Sequence, residues 1–253
     1  MKLTFLGTGT SQGIPVIACP CQICQSTDPH DWRLRTSALI EHQGINIVID
    51  AGPDFRQQML RAKVKTLNAI LLTHEHRDHI AGLDDVRAFN WLQKRPMDIW
   101  AEDRVISELT REYSYVFNDH KYPGIPEFKF HKIDGQPFDI MGINIVPIRV
   151  YHYKLPIYGF RIGDLTYITD ANFIPEEEKE KIIGTKYIVI NALRMQKHIS
   201  HYSLPEALEL ISQLSPRKAF ITHIGHQMGF HKDVSMSLPE NVYLAYDGLE
   251  LEC

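Results

Sequence analysis

The stretch Ala69-Ile70-Leu71-Leu72-Thr73-His74-Glu75-His76-Arg77-Asp78-His79 decides the reading of this chain. An apolar run of strand length ends directly on H-x-H-x-D-H. At this composition chance would produce that pattern in about 2 of 1,000 sequences, so the pattern carries chemistry. In extended chain His74 and His76 point the same way, whereas the adjacent Asp78 and His79 diverge. The two-residue spacing does not fit the helical i, i+4 arrangement of an H-E-x-x-H zinc site. A loop at a strand end can instead offer two imidazoles to one metal ion, and a carboxylate plus an imidazole to a second.

Four groups do not fill two coordination shells. Three more candidates stand at the ends of apolar runs: His152 after Ile145–Val150, Asp170 after Leu165–Thr169, and His223 after Ala219–Thr222. Ligands from separate strand ends converging on one sheet edge are how a rigid scaffold makes a site. Around them, β-rich runs alternate with helical patterns. Strands are expected at 2–6, 36–42, 45–50, 69–73, 143–150, 157–162, 166–169, 187–190, 218–222 and 242–246. Helices are expected at 53–63, 84–94, 103–116, 175–182 and 204–214. The last has Ser203 as N-cap, Glu206 in its first turn and an apolar stripe. No repeat or linker is evident, and the pattern reads as packed sheets flanked by helices, an α/β chain in one domain over 1–253. The opening Gly7-Thr-Gly9-Thr-Ser-Gln-Gly13 looks like a dinucleotide loop. Pro15, Pro20 and cysteines follow it where a helix is needed, which disfavours nucleotide binding.

The 253 residues carry a net charge of −4 at 44% hydrophobic content. That supports a sizeable core and disfavours a generally basic nucleic-acid binder. No apolar run has the roughly 18 residues of a membrane span, and the start is too short for a signal peptide, so a cytoplasmic chain without membrane association is expected. Three of the four cysteines crowd into Cys19-Pro-Cys21-Gln-Ile-Cys24. Three thiols so close in a cytoplasmic chain read as ligands to one metal and not as a disulfide framework. Cys253, at a frayed chain end, takes no part.

These residues resemble the metallo-β-lactamase superfamily over nearly the whole chain. The resemblance implies a four-layer αβ/βα sandwich with mixed, mostly antiparallel sheets and a dinuclear site along one edge. Motif by motif, it assigns His74, His76 and His152 to one metal, Asp78, His79 and His223 to the other, and Asp170 to both. Asp50 matches an outer aspartate that supports the metal loop; read from the residues alone it is a turn-capping Asp at a strand end. The segments Gly7–Ser11, Cys19/Cys21/Cys24, Leu34–Ser37, Thr222–His226 and Tyr246–Leu249 resemble the PhnP-like phosphodiesterases. In that branch three cysteines and a histidine three residues after the last active-site histidine, here His226, hold a structural zinc.

The implied cofactors are two divalent ions, zinc or manganese, beside one structural zinc. Two divalent ions, two aspartates and a bridging hydroxide leave about +1 in the pocket, which favours a phosphate substrate, and the resemblance implies a small phosphodiester, in this branch a cyclic one. The bridging hydroxide is the expected nucleophile. Asp78 is expected to be essential with the metals, and the branch assigns His201 as general acid, with His198 as a neighbouring candidate. Arg194 and Lys197 are cations within reach of phosphate. Three rival readings remain. A tRNA 3′-processing endonuclease shares the ligands but carries an RNA-gripping arm where this chain has 17 residues between His152 and Asp170. A thioester or lactam hydrolase shares the fold, and a non-enzymatic metal carrier would not need every ligand. The sequence leaves a homodimer open.

Overall fold

A computed structural model describes residues 1–118 and 123–253. The first sheet contains β1 (Lys2–Gly7), β2 (Ser37–His42), β3 (Ile45–Ile49), β4 (Ala69–Leu71), β5 (Met97–Ala101) and β6 (Phe128–Lys132). The second contains β7 (Phe138–Ile140), β8 (Ile143–His152), β9 (Leu155–Ile162), β10 (Leu165–Tyr167), β11 (Tyr187–Asn191), β12 (Lys218–Thr222) and β13 (Val242–Leu244). The last strand, β14 (Glu250–Glu252), returns to the first sheet beside β1, giving seven strands in each.

Each sheet divides in the middle. β14-β1-β2-β3 and β7-β8-β9-β10 pair antiparallel, whereas β3-β4-β5-β6 and β10-β11-β12-β13 pair parallel. The expectation of mostly antiparallel sheets is thus corrected to an even mixture. The reason lies in the connections. A parallel pair needs a crossover. The helices supply it: α1 (Phe55–Arg61) between β3 and β4, α3 (Arg87–Gln93) between β4 and β5, and α4 (Asp103–Glu112) between β5 and β6. In the second sheet the same job falls to α5 (Glu176–Lys179), α6 (Leu204–Leu214) and α7 (His231–Ser237). A single turn, α2 (Arg77–Ile80), lies inside the motif itself.

Period-two alternation sorts the strand residues into layers. Leu3, Phe5, Ile40, Ile47 and Leu71 face Ile145, Phe160, Tyr167 and Val189 across the space between the sheets. The opposite face of the first sheet (Val48, Ile70, Ile99) packs on Phe55, Phe89, Val105 and Leu109. That of the second (Ile148, Ile188, Ile190, Ile221) packs on Ala207, Leu210, Ile211 and Val234. The result is helix, sheet, sheet, helix. The Glu206 carboxylate accepts from the Ser203 amide at 2.9 Å, which fixes the start of α6 where the capping pattern puts it. The other expected helices run shorter: 103–116, for example, is α4 followed by a separate turn at Ser114–Val116. The chain end departs from expectation. Cys253 donates its amide to the Met1 carbonyl at 2.7 Å, and the N-terminal amine donates to the Cys253 carbonyl at 3.0 Å. Pairing of β1 with β14 ties both termini down, and burial pushes the Cys253 thiol up to about 12. Among the described residues, no helix is long and apolar enough to cross a membrane.

Strand direction sets where the site lies. β8 and β10 are each antiparallel to β9, so they run together, and β10 to β12 are parallel. The C-terminal ends of β8, β10 and β12 therefore share one edge of the second sheet. His152, Asp170 and His223 stand on that edge.

Candidate metal centre

The motif leaves β4 and stays extended only as far as His76, whose φ and ψ are −61° and 146°. From Arg77 the chain turns helically. Adjacent residues on a helix point about 100° apart, not 180°. Asp78 and His79 therefore do not diverge as the extended reading expects. Both reach the same point: His79 Nε2 lies 3.1 Å from Asp78 Oδ2 and 3.2 Å from Asp170 Oδ2. His223 Nδ1 meets the same Asp170 oxygen at 3.1 Å. The donor atoms of His74, His76 and His152 form one group within 4.8 Å, and those of Asp78, Asp170 and His223 form another. His74, His79 and Asp170 join the two at the same spacing. All seven candidates are thus brought together, with Asp170 between the two halves.

Three of the imidazoles, those of His74, His79 and His152, are oriented through their other nitrogen. Thr73 Oγ1 lies 2.9 Å from His74 Nδ1. His152 Nδ1 donates to the Ser200 carbonyl at 2.8 Å. His79 Nδ1 donates to Asp50 Oδ2 at 2.6 Å, and Asp50 also accepts the Thr73 amide at 2.9 Å. Such pairings fix tautomer and ring plane. Asp50 therefore stands behind His79 and the motif loop. Asp50, Asp170 and His223 all adopt left-handed backbone, with φ of 61°, 60° and 54°. For residues other than glycine this costs about 1–3 kcal/mol each and turns the side chain off the strand line toward the cluster. Gly52 allows the Asp50 loop to lie on the motif: a Cβ there would stand 1.9 Å from the Asp78 carbonyl oxygen. The Ala51 amide donates to the His79 carbonyl at 2.7 Å across the same contact.

The electrostatics call for a cation. Burial opposes charge on His79, yet Asp78, Asp170 and Asp50 override it and hold its pKa well above the usual histidine value. Burial and neighbouring His79 hold His74 well below that value, as a neutral imidazole. His74 Nε2 and His201 Nδ1 are buried without a hydrogen-bond partner. An unpartnered buried polar atom costs about 1–3 kcal/mol. Nitrogen and carboxylate donors at this spacing suit zinc or manganese ions held at about 2.0–2.2 Å, so the residues present fit the implied metals.

His201 is buried beside the cluster, its ring 4.6 Å from that of His152 and 4.8 Å from that of His223. Its Nδ1 is 3.8 Å from Asp170 Oδ1. Burial, with His223 nearby, pushes its pKa down to about 3, so in the free protein the ring is neutral. His198 stacks 5.3 Å further out. Arg194 and Lys197 do not enter the site. The Arg194 guanidinium donates to the carbonyls of Gln196 and Lys197, and Lys197 pairs with Glu206 at 3.4 Å.

A second donor cluster stands apart. His226 Nδ1 lies 3.3 Å from the Cys19 sulfur and 3.4 Å from those of Cys21 and Cys24. Tetrahedral bonds of about 2.3 Å to sulfur and 2.05 Å to nitrogen imply an edge of roughly 3.6 Å, so one zinc fits these four groups. The Cys24 amide donates to Cys21 Sγ and pulls that thiol down to about 6, toward the thiolate a metal needs. The Cys loop and the active edge are joined by short chain: Thr10 donates to the Ile224 carbonyl at 3.1 Å, between His223 and His226. The Gly7–Gly13 segment thus serves as a connection to β12, with no helix after it.

Several supporting residues had no signal in the sequence. Asn191 clamps both the amide and the carbonyl of Ala171, just after Asp170. Arg104 pairs with Glu75 of the motif and donates to the Pro156 carbonyl on the strand after His152. Only tertiary contact gives these residues meaning.

Two sheets enclosed by helices, with imidazoles and carboxylates gathered at strand ends, define a metallo-hydrolase fold. The pattern of the beta-lactamase superfamily domain matches residues 45–224. The crystal structure of a diphosphatase of the PhnP family superposes with a TM-score of 0.93 at 35% identity, covering 99% of this chain and 96% of that one. The chain belongs to the metallo-β-lactamase superfamily and, within it, to the PhnP-like branch. It is also 39% identical over 253 residues to an octanoyltransferase of Porphyromonas gingivalis, covering 99% of this chain and 51% of that protein. A ribonuclease Z of Nanoarchaeum equitans is 31% identical over 135 residues, 50% of this chain and 42% of that protein. The chain therefore spans about half the length of the curated relatives it matches.

Proposed function

We propose that this chain is a metal-dependent phosphodiesterase acting on a small phosphate diester. The observation that carries the reading is the convergence of six donors around Asp170, with buried imidazole nitrogen left unpartnered. His74, His76 and His152 would hold one divalent ion, Asp78, His79 and His223 a second, and Asp170 would contact both. The ions, zinc or manganese, would supply Lewis acidity toward the phosphoryl oxygens and lower the pKa of water at the site. The protein's own part is to fix donors and move a proton. Asp50 and Ser200 hold the rings of His79 and His152. His201, buried beside Asp170 and His223, is placed to give a proton to the departing oxygen. Its neutral resting state means that the anionic phosphate itself must raise its pKa on binding.

A second reading shares the site. A PhnP-family relative is a diphosphatase, and attack on phosphorus in a P–O–P link needs the same machinery with a leaving phosphate, a weaker base than an alkoxide. The octanoyltransferase name belongs to a protein of which this chain matches half. A small substrate is favoured over RNA because the segment between His152 and Asp170 is filled by β9, a turn at Gly163 and β10. Net charge of −4 points the same way. The test is a panel of linear diesters, cyclic diesters, diphosphates, a thioester and precursor tRNA, with metal content measured on the same sample. Diester turnover faster than all others supports the proposal. Turnover confined to the thioester or tRNA contradicts it.

A further inference from the structure

A groove of about 540 Å³ opens directly against His76 and His152 and is walled by Tyr153, Lys154, Leu155, Ile199 and Ser200. That volume suits a small organic group. A larger cavity of about 670 Å³, lined by Arg87, Trp91 and Lys94 among others, contains none of the metal-donor residues. The groove's walls are apolar where solvent would favour polar groups: Tyr153 is 50% exposed and Ile199 66%. Both are held in place. Tyr153 has left-handed backbone, with φ of 57°. The Asn172 side chain accepts from the Tyr153 amide at 2.6 Å and donates to the Ile199 carbonyl at 3.3 Å. The His152–Ser200 bond ties the same two loops together at a cluster residue. The Lys154 ammonium lies 5.4 Å from the centre of the Tyr153 ring. A buttressing amide, and a Tyr at the first place of the two-residue β8–β9 turn where Gly, Asn or Asp adopts left-handed backbone at lower cost, hold two apolar side chains exposed and point to a ligand that covers them.

We infer that this groove is the subsite for the organic substituent of the phosphate ester, and that the substituent carries a flat ring. The inference rests on the phosphodiesterase reading above. Tyr153 and Ile199 would contact the ring, and Lys154 would face the anionic end beside the metals. The depression on the other side of Tyr153 is lined by Phe173, Glu176 and Glu177. Its carboxylates repel phosphate, so the ester approaches from the side of His76 and His152.

The test compares phenylphosphonate with methylphosphonate as competitive inhibitors of diester hydrolysis by the metal-loaded protein. The phenyl compound should bind about tenfold more tightly, the worth of roughly 55 Å² of apolar surface. In Tyr153→Ala and in Ile199→Ser that ratio should fall toward one, whereas Tyr153→Phe keeps it. Methylphosphonate is the internal control, since damage to the metal cluster weakens both inhibitors together and leaves the ratio unchanged. Equal inhibition of the unaltered protein by the two compounds, with diesters still hydrolysed, overturns the ring subsite alone. A preference that survives both substitutions overturns it as well. Absence of diester hydrolysis overturns the phosphodiesterase reading, and the ring subsite with it.

Discussion

The two donor clusters of this chain are built in opposite ways. The His/Asp cluster draws on the C-terminal ends of strands in both sheets, holds Asp170, His223 and the supporting Asp50 in left-handed backbone and leaves buried imidazole nitrogen without a partner. The Cys₃His cluster takes three thiols from an irregular loop before β2 and His226 from the segment after β12, and its histidine already stands at tetrahedral spacing from all three sulfurs. One has more donors than a single ion needs, a further histidine, His201, whose donor atom stands within 4.8 Å of those of His152 and Asp170, and an apolar groove against it. The other is a closed set of four. Open coordination beside a groove suits turnover, whereas a closed shell suits holding a loop in place. The loop it holds is attached, through Thr10 and Ile224, to the strand end that carries His223.

That contrast can be broken by substitution. The largest effect belongs to Asp170→Ala. It removes the carboxylate shared by both halves of the open cluster, and activity should fall to background with metal lost from that cluster, while the cooperative thermal transition persists. Retention of both metals and turnover would dismiss the dinuclear arrangement. His201→Ala should cost about 10²–10⁴-fold on a sugar diester and much less on a nitrophenyl diester, whose leaving group needs no proton. Equal losses on the two would make His201 a ligand or phosphate contact instead, a role its 3.8 Å approach to Asp170 also permits.

Asp50→Asn comes next, at about 10–100-fold in metal affinity, because the amide no longer offers His79 a carboxylate. A metal titration of the variant reads this directly, and unchanged affinity would reduce Asp50 to a turn cap. The smallest effect on turnover should follow Cys21→Ser. It should lose about one zinc per chain and lower the melting temperature, with activity reduced only through the loosened His223 strand. An unchanged zinc count in that variant would remove the closed cluster from the account.

Much of the site was legible because its chemistry is local. H-x-H-x-D-H is contiguous, and His152, Asp170 and His223 each follow an apolar run that does form a strand. What the sequence hid was geometry of longer range. Asp78 and His79 read as divergent because nothing in Arg77-Asp-His-Ile80 carries helical periodicity, yet four residues of helix suffice to converge them. β5 was missed because Met97-Asp-Ile-Trp-Ala101 follows a proline and is too short for its alternation to stand out. β6, Phe-Lys-Phe-His-Lys, is an edge strand whose polar half reads as loop. β14 has three residues and owes its existence to β1. Missing those strands also hid the parallel half of the first sheet. Asn172, Asn191 and Arg104 are ordinary polar residues until the fold brings a backbone to them.

The central claim, that one cluster is for turnover and the other for structure, is tested most directly by cobalt(II) titration of the metal-free protein. Thiolate-to-cobalt absorption and diester hydrolysis are followed together as metal is added. The account predicts that the thiolate signal saturates after one equivalent with no hydrolysis, and that activity rises only with the equivalents that follow. Activity that tracks the thiolate signal and is complete at one equivalent would contradict it.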